Sequence, residues 1–91
     1  MKRIVEEIQI TDPLGIHARP AAALAVAVRK SGAHVTLRFG QNTADAASVV
    51  RLLGLGAGPR SRVTAEIEGE DDAVTAALAA LRAHLCPEPA A

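Results

Sequence analysis

The residues best suited to chemistry stand together in Gly15-Ile16-His17-Ala18-Arg19-Pro20-Ala21. A strand pattern ends near Thr11, the loop Asp12-Pro13-Leu14-Gly15 follows, and helical composition begins at Ala18. His17 is therefore expected at or just before a helix N-cap. The N–H groups of a first helical turn lack intrahelical partners and point toward whatever the capping side chain carries, so helix N-termini bind phosphate. Arg19, two residues on, could add a charge-assisted contact to phosphate oxygens. A nucleophilic imidazole must be neutral, and helix N-termini and guanidinium groups both disfavour a neighbouring positive charge. The pattern suits a histidine that accepts and releases a phosphoryl group. It also suits a histidine that only caps the helix or lies in solvent, because polar residues cap helices readily. These residues alone leave both readings open.

The elements that must position His17 are legible from periodicity. In 33–39, Ala33, Val35, Leu37 and Phe39 fall on one face and His34, Thr36 and Arg38 on the other, the alternation of a half-buried strand. In 62–68, Val63, Ala65 and Ile67 point inward and Arg62, Thr64, Glu66 and Glu68 outward. Residues 3–10 read as a third strand with Ile4, Ile8 and Ile10 in phase; Glu6 interrupts that phase and places the strand toward a sheet edge. Gly40-Gln41-Asn42 reads as a hairpin turn, with Thr43 to Asp45 as a short strand pairing back on 33–39.

Three stretches read as helices: 18–30, stopped by Ser31-Gly32; 48–53, stopped by Gly54; and 72–85, behind Glu70, Asp71 and Asp72. Pro20 is tolerated in the first turn of 18–30, where the N–H groups have no partner. Acids ahead of 72–85 suit the positive end of a helix dipole. The order β-α-β-β-α-β-α describes an α+β layer, a four-stranded antiparallel sheet with three helices on one face.

Composition narrows the function. The chain has 91 residues, enough for one domain and little room for a deep substrate pocket. We expect the domain to span 1–86, with 87–91 a frayed tail. Ten basic and ten acidic residues cancel, and Phe39 is the only aromatic, which argues against a nucleic-acid partner. The longest apolar run, Pro20 to Val28, is too short to span a bilayer, so no membrane insertion is expected. Glu6 and Glu7 stand where a signal peptide needs apolar residues, and Cys86 is the only cysteine. Together these lead us to expect a cytoplasmic protein.

The string Gly15-Ile16-His17-Ala18-Arg19-Pro20-Ala21-Ala22 resembles the active-site signature of the HPr family, the histidine-containing phosphocarriers of the phosphoenolpyruvate-dependent sugar phosphotransferase system. The resemblance runs from Val5 to about Leu85. It takes in Pro13-x-Gly15, Ala47-Ser48-Val49-Val50, Leu53-Gly54-Leu55 and Glu68-Gly69-Glu70. It implies an open-faced β-sandwich and a carrier rather than an enzyme, needing no cofactor. His17 would be the phosphorylation site through Nδ1, Arg19 the phosphate-stabilising arginine, and Ala18 and Pro20 the helix start. Phosphorylated Enzyme I would supply the group and a histidine on an enzyme IIA would receive it. Such transfers need alignment and charge neutralisation more than elaborate machinery.

Ser48 matches the family's regulatory serine, the target in some bacteria of a serine kinase/phosphorylase, through which such carriers meet a transcription regulator. Here Ala47 replaces the lysine of many members, and Ser48 also reads simply as a helix cap. Val49, Val50 and Leu53 match family docking positions. Ala23 and Val26 stand where relatives often carry Lys or Gln, while Arg29 and Arg51 keep some positive charge. If Leu24 and Val28 face the sheet, Ala23, Val26 and Ala27 are exposed, as a docking patch or through alanine bias alone. The family implies a monomer.

Gly54-Leu55-Gly56-Ala57-Gly58 lacks the spacing of a nucleotide loop and reads as a turn. His34 and His84 share no metal-ligand spacing with His17, and Cys86 has no redox partner. All three read as structural or surface residues, and no metal is expected. Two other functions fit the element order: an HPr-like regulatory module gated by Ser48, and a ferredoxin-like small-molecule binder. The second leaves the histidine motif unexplained. A carrier serving a nitrogen-related or dihydroxyacetone relay fits as well as one serving sugar uptake.

Overall fold

In a computed structural model describing residues 1–87, the alternating segments form one sheet and the 3.6-period segments pack on one side of it. The elements are β1 (Lys2–Gln9), α1 (Ala18–Ser31), β2 (His34–Phe39), β3 (Asn42–Asp45), α2 (Val49–Gly54), β4 (Arg62–Gly69) and α3 (Asp71–Leu85). The strand order is β1-β4-β2-β3, antiparallel throughout. Of the expected tail, only Pro87 lies within the described residues; residues 88–91 lie outside them.

Register follows from the alternation. Ile4 and Val35 flank Ile67, Glu6 and Leu37 flank Ala65, and Ile8 pairs with Val63, which puts these apolar positions on the helix side; Val5, opposite Glu66, is the apolar exception on the outer face, where it is exposed. Glu6 lies on that inner face. It is tolerated because β1 is an edge strand and Arg82 of α3 reaches it, Nη2 to Oε2 at 3.8 Å. The opposite face is polar, with Arg3 bridging Glu66 and Glu68 and Arg62 meeting Glu7. These are exposed pairs of small energetic weight.

The core is wholly aliphatic: Ile8, Ile10, Leu24, Val28, Leu37, Leu52, Leu55, Val63, Ile67 and Leu81 are buried together, and no polar side chain is buried with them among the described residues. As expected, Leu24 and Val28 face inward. Ala23 and Ala27, however, are half-buried rather than exposed, because α3 and α2 flank α1; only Val26 of that trio is exposed.

Boundaries differ from the sequence reading by a residue or so. The first strand runs 2–9 instead of 3–10 because Ile10 leaves the ladder, its N–H donating to Ser61 O at 2.8 Å and its carbonyl accepting from Arg60 N at 2.8 Å. The β2–β3 hairpin closes with Phe39 opposite Asn42, leaving a two-residue turn. Its first turn residue, Gly40, has φ 61°, a conformation glycine adopts at little cost.

Candidate functional site

The loop between β1 and α1 is held from two sides, the end of α3 and the turn at 57–58, and this fixes where His17 stands. At its start, Thr11 N–H donates to Leu85 O at 3.0 Å, and the Cys86 thiol donates to Gln9 O at 2.8 Å, tying the loop to the end of α3. Burial pushes the Cys86 thiol up from its ordinary value, which suits a packed donor more than a reactive thiolate. At its end, Ile16 N–H donates to Ala57 O at 3.2 Å. Between these, Gly15 adopts φ 70° and lies so close to the 57–58 backbone that a Cβ there would meet Gly58 Cα at 2.7 Å. Glycine is required here twice over, by conformation and by space. The glycine-rich turn after α2 therefore braces the histidine loop.

Within the loop, Asp12 organises the backbone. Its Oδ1 accepts Leu14 N–H at 2.9 Å, and its carbonyl accepts Gly15 N–H at 2.9 Å. Its Oδ2 lies 3.3 Å from His17 Nε2. The Leu14 N–H, more than the imidazole, holds the Asp12 carboxyl below its ordinary value, against a smaller opposing effect of desolvation.

His17 is the N-cap of α1, extended at φ −120° and ψ −179°, and its side chain makes no capping hydrogen bond. Its carbonyl accepts Ala21 N–H at 3.0 Å, the first intrahelical bond. Pro20 has no N–H, so the free donors of the first turn are those of Ala18 and Arg19. There is no acidic residue in that turn to occupy them.

His17 opens onto a depression of about 340 Å³ lined by Asp12, Arg19, Pro20 and Ala23 on one side and by Ala83, His84 and Pro87 at the end of α3 on the other. The structure thus brings His17, Ala18, Arg19, Pro20 and Ala23 together. Arg19 is exposed and makes no ion pair among the described residues. With two histidines, one arginine and a single carboxylate on an apolar floor, the depression can receive an anionic group. No set of three His, Cys, Asp or Glu side chains able to hold a metal occurs among the described residues. No helix there is long and apolar enough to cross a membrane.

The other residues singled out in the sequence lie elsewhere. Ser48 is the N-cap of α2, and its Oγ accepts Arg51 N–H at 3.2 Å. Val50 is 79% exposed and Leu53 45%, with Arg51 also at the surface, whereas Val49 is half-buried against the core. Sequence reasoning missed the contact of Asp12 with His17 and the bracing by Ala57 and Gly58. His84, read from the sequence as a structural or surface residue sharing no metal-ligand spacing with His17, lines the same depression as His17.

A protein family described as "PTS HPr component phosphorylation site" matches residues 4–85. A phosphocarrier protein HPr from Lysinibacillus sphaericus is 35% identical over 67 residues, 74% of this chain and 76% of that protein. A phosphocarrier protein NPr from Shewanella violacea is 37% identical over 82 residues, 89% of this chain and 90% of that protein. The crystal structure of a phosphocarrier protein HPr from Bacillus anthracis superposes with a TM-score of 0.81 at 28% identity, covering 91% of this chain and 96% of the other. Sequence signature, element order and open sheet agree, and the chain belongs to the HPr family of phosphocarriers.

Proposed function

We propose that His17 accepts a phosphoryl group from the phosphohistidine of Enzyme I and passes it to a histidine of an enzyme IIA. The observation that carries this reading is His17 at an N-cap with no capping bond, in one depression with Arg19. The Nδ1 lone pair of His17 attacks phosphorus; the P–N bond to Enzyme I breaks, and its electron pair returns to the donor ring. The phosphoryl oxygens then meet the N–H groups of Ala18 and Arg19 and the Arg19 guanidinium, which stabilise them through dipole and charge. The second transfer reverses these bonds with the enzyme IIA histidine as acceptor. Val26, Val50, Arg51 and Leu53 supply an exposed rim around which the partners dock, with Ala23 and Val49 half-buried beneath it.

The test uses purified protein, phosphoenolpyruvate and Enzyme I from the same organism, read by intact mass and acid lability. The wild type should gain one acid-labile phosphoryl group, and His17→Ala should gain none while keeping its fold. Labelling of the His17→Ala chain would overturn the assignment. A second reading places the carrier in a relay other than sugar uptake. It is favoured by the likeness to a protein named NPr, at least as extensive as the likeness to HPr. Transfer to a non-sugar acceptor in preference to sugar-specific enzymes IIA would decide for it.

A further inference from the structure

We propose that Asp12 is a positioning residue for His17, fixing the ring with Nε2–H toward its carboxylate so that Nδ1 presents the lone pair. The inference rests on the reading of His17 as the phosphoryl carrier. Its geometric basis is a carboxylate with both oxygens placed: Oδ1 takes Leu14 N–H at 2.9 Å, and Oδ2 faces His17 Nε2 at 3.3 Å. The pair is not a loose surface contact, since the Asp12 side chain is 18% exposed and that of His17 34%. A carboxylate accepts and cannot donate, so the nitrogen facing it carries the proton and the other ring nitrogen does not.

This arrangement matters in both transfer steps. When Nδ1 forms its bond to phosphorus, the donor's bond breaks with its electron pair kept by the donor. Nε2 retains its proton, and the ring becomes a phosphoimidazolium. Asp12 offsets that positive charge. Loss of the Nε2 proton would leave a neutral phosphoimidazole, whose ring is a poorer leaving group. Asp12 thus selects the attacking nitrogen and keeps the phosphoryl group ready to be handed on. The other charged or titratable groups facing His17 are Arg19 of α1 and His84 of α3; as cations both would oppose a charged ring, and Asp12 is the counterweight.

The test compares the full chain with Asp12→Asn, which keeps a side-chain oxygen for Leu14 N–H but removes the charge, and Asp12→Ala, which removes both. Imidazole ¹⁵N shifts of the unphosphorylated proteins report the tautomer. The wild type should hold His17 with Nε2–H, and Asp12→Ala should show a mixture. The chains are then phosphorylated chemically with phosphoramidate, independently of any Enzyme I, and loss of the phosphoryl group is followed against pH. In Asp12→Asn the fall in hydrolysis on the alkaline side should move to lower pH, slowing hydrolysis about 3- to 10-fold near neutrality. Equal tautomer populations in wild type and Asp12→Ala, or superimposable pH profiles in wild type and Asp12→Asn, would overturn the proposal. If His17 is locked as Nε2–H but is phosphorylated by neither phosphoramidate nor Enzyme I, the carrier reading fails while orientation by Asp12 stands.

Discussion

Two helices of this protein begin in nearly the same way and leave their first turns in opposite states. α1 starts from His17 at φ −120° and α2 from Ser48 at φ −116°, both extended, and neither helix has an acid in its first turn. Ser48 turns its hydroxyl back onto Arg51 N–H and satisfies its own helix. The His17 ring turns away, toward Asp12, and leaves the N–H groups of Ala18 and Arg19 without an internal partner. α3, like α2, satisfies its own first turn, but with acids instead of a hydroxyl: Asp71 and Asp72 stand there, and Asp72 Oδ1 accepts Ala73 N–H at 2.9 Å. An N-terminus is left open when the residue at the cap is held off by something else; at α1 the holding is done by the β1–α1 loop.

The sharpest way to break that contrast is to disturb the loop. Gly15→Ala would put a Cβ on the 57–58 backbone and force a left-handed alanine, for which conformation alone costs about 1–2 kcal/mol. Urea unfolding should show a loss of at least that size, with phosphoryl transfer falling further as His17 shifts. Gly58→Ala is the control: nothing lies within 4 Å of its Cβ position, so stability should change by less than about 0.5 kcal/mol. On the closed helix, Ser48→Ala removes one cap and should cost about 1 kcal/mol in the same unfolding experiment, with transfer from Enzyme I retained.

The smallest effect concerns pH. Folding depresses the Asp12 carboxyl, chiefly through Leu14 N–H, so its stabilisation is full above the ordinary carboxylate range and is lost as pH falls through the lowered folded value. Acid unfolding below about pH 4 should therefore be slightly less steep in Asp12→Asn than in the wild type. The difference should vanish at neutral pH, apart from any constant offset between the two proteins.

Much of this contrast could be read without coordinates, because it is local. Alternation in 33–39 and 62–68 defined the strands, Gly32 ended the first helix, and Pro20 with His17 marked its start. The family signature then singled out the helix start at His17. The supports were invisible for a physical reason. Gly15 and Gly58 are distant in sequence, and their approach exists only once β4 has paired with β1. The same holds for His84, which reaches the depression because α3 packs along α1. Asp12 is only five residues from His17, yet an irregular loop has no period that would set which side chains meet. Ala23 and Ala27 are half-buried where exposure was expected, because three helices on one face can be read from the sequence but not which flanks of α1 the other two cover.

The most direct test of the open first turn is an amide ¹H–¹⁵N spectrum of the chain before and after phosphorylation by phosphoenolpyruvate and Enzyme I. If the phosphoryl group sits on His17 and is held by α1, the largest downfield shifts will fall on the Ala18 and Arg19 amides, while the Arg51 amide, already bonded to Ser48, will not move. Largest shifts at Val49 to Leu52, or none at Ala18 and Arg19 in a fully phosphorylated sample, would contradict the account.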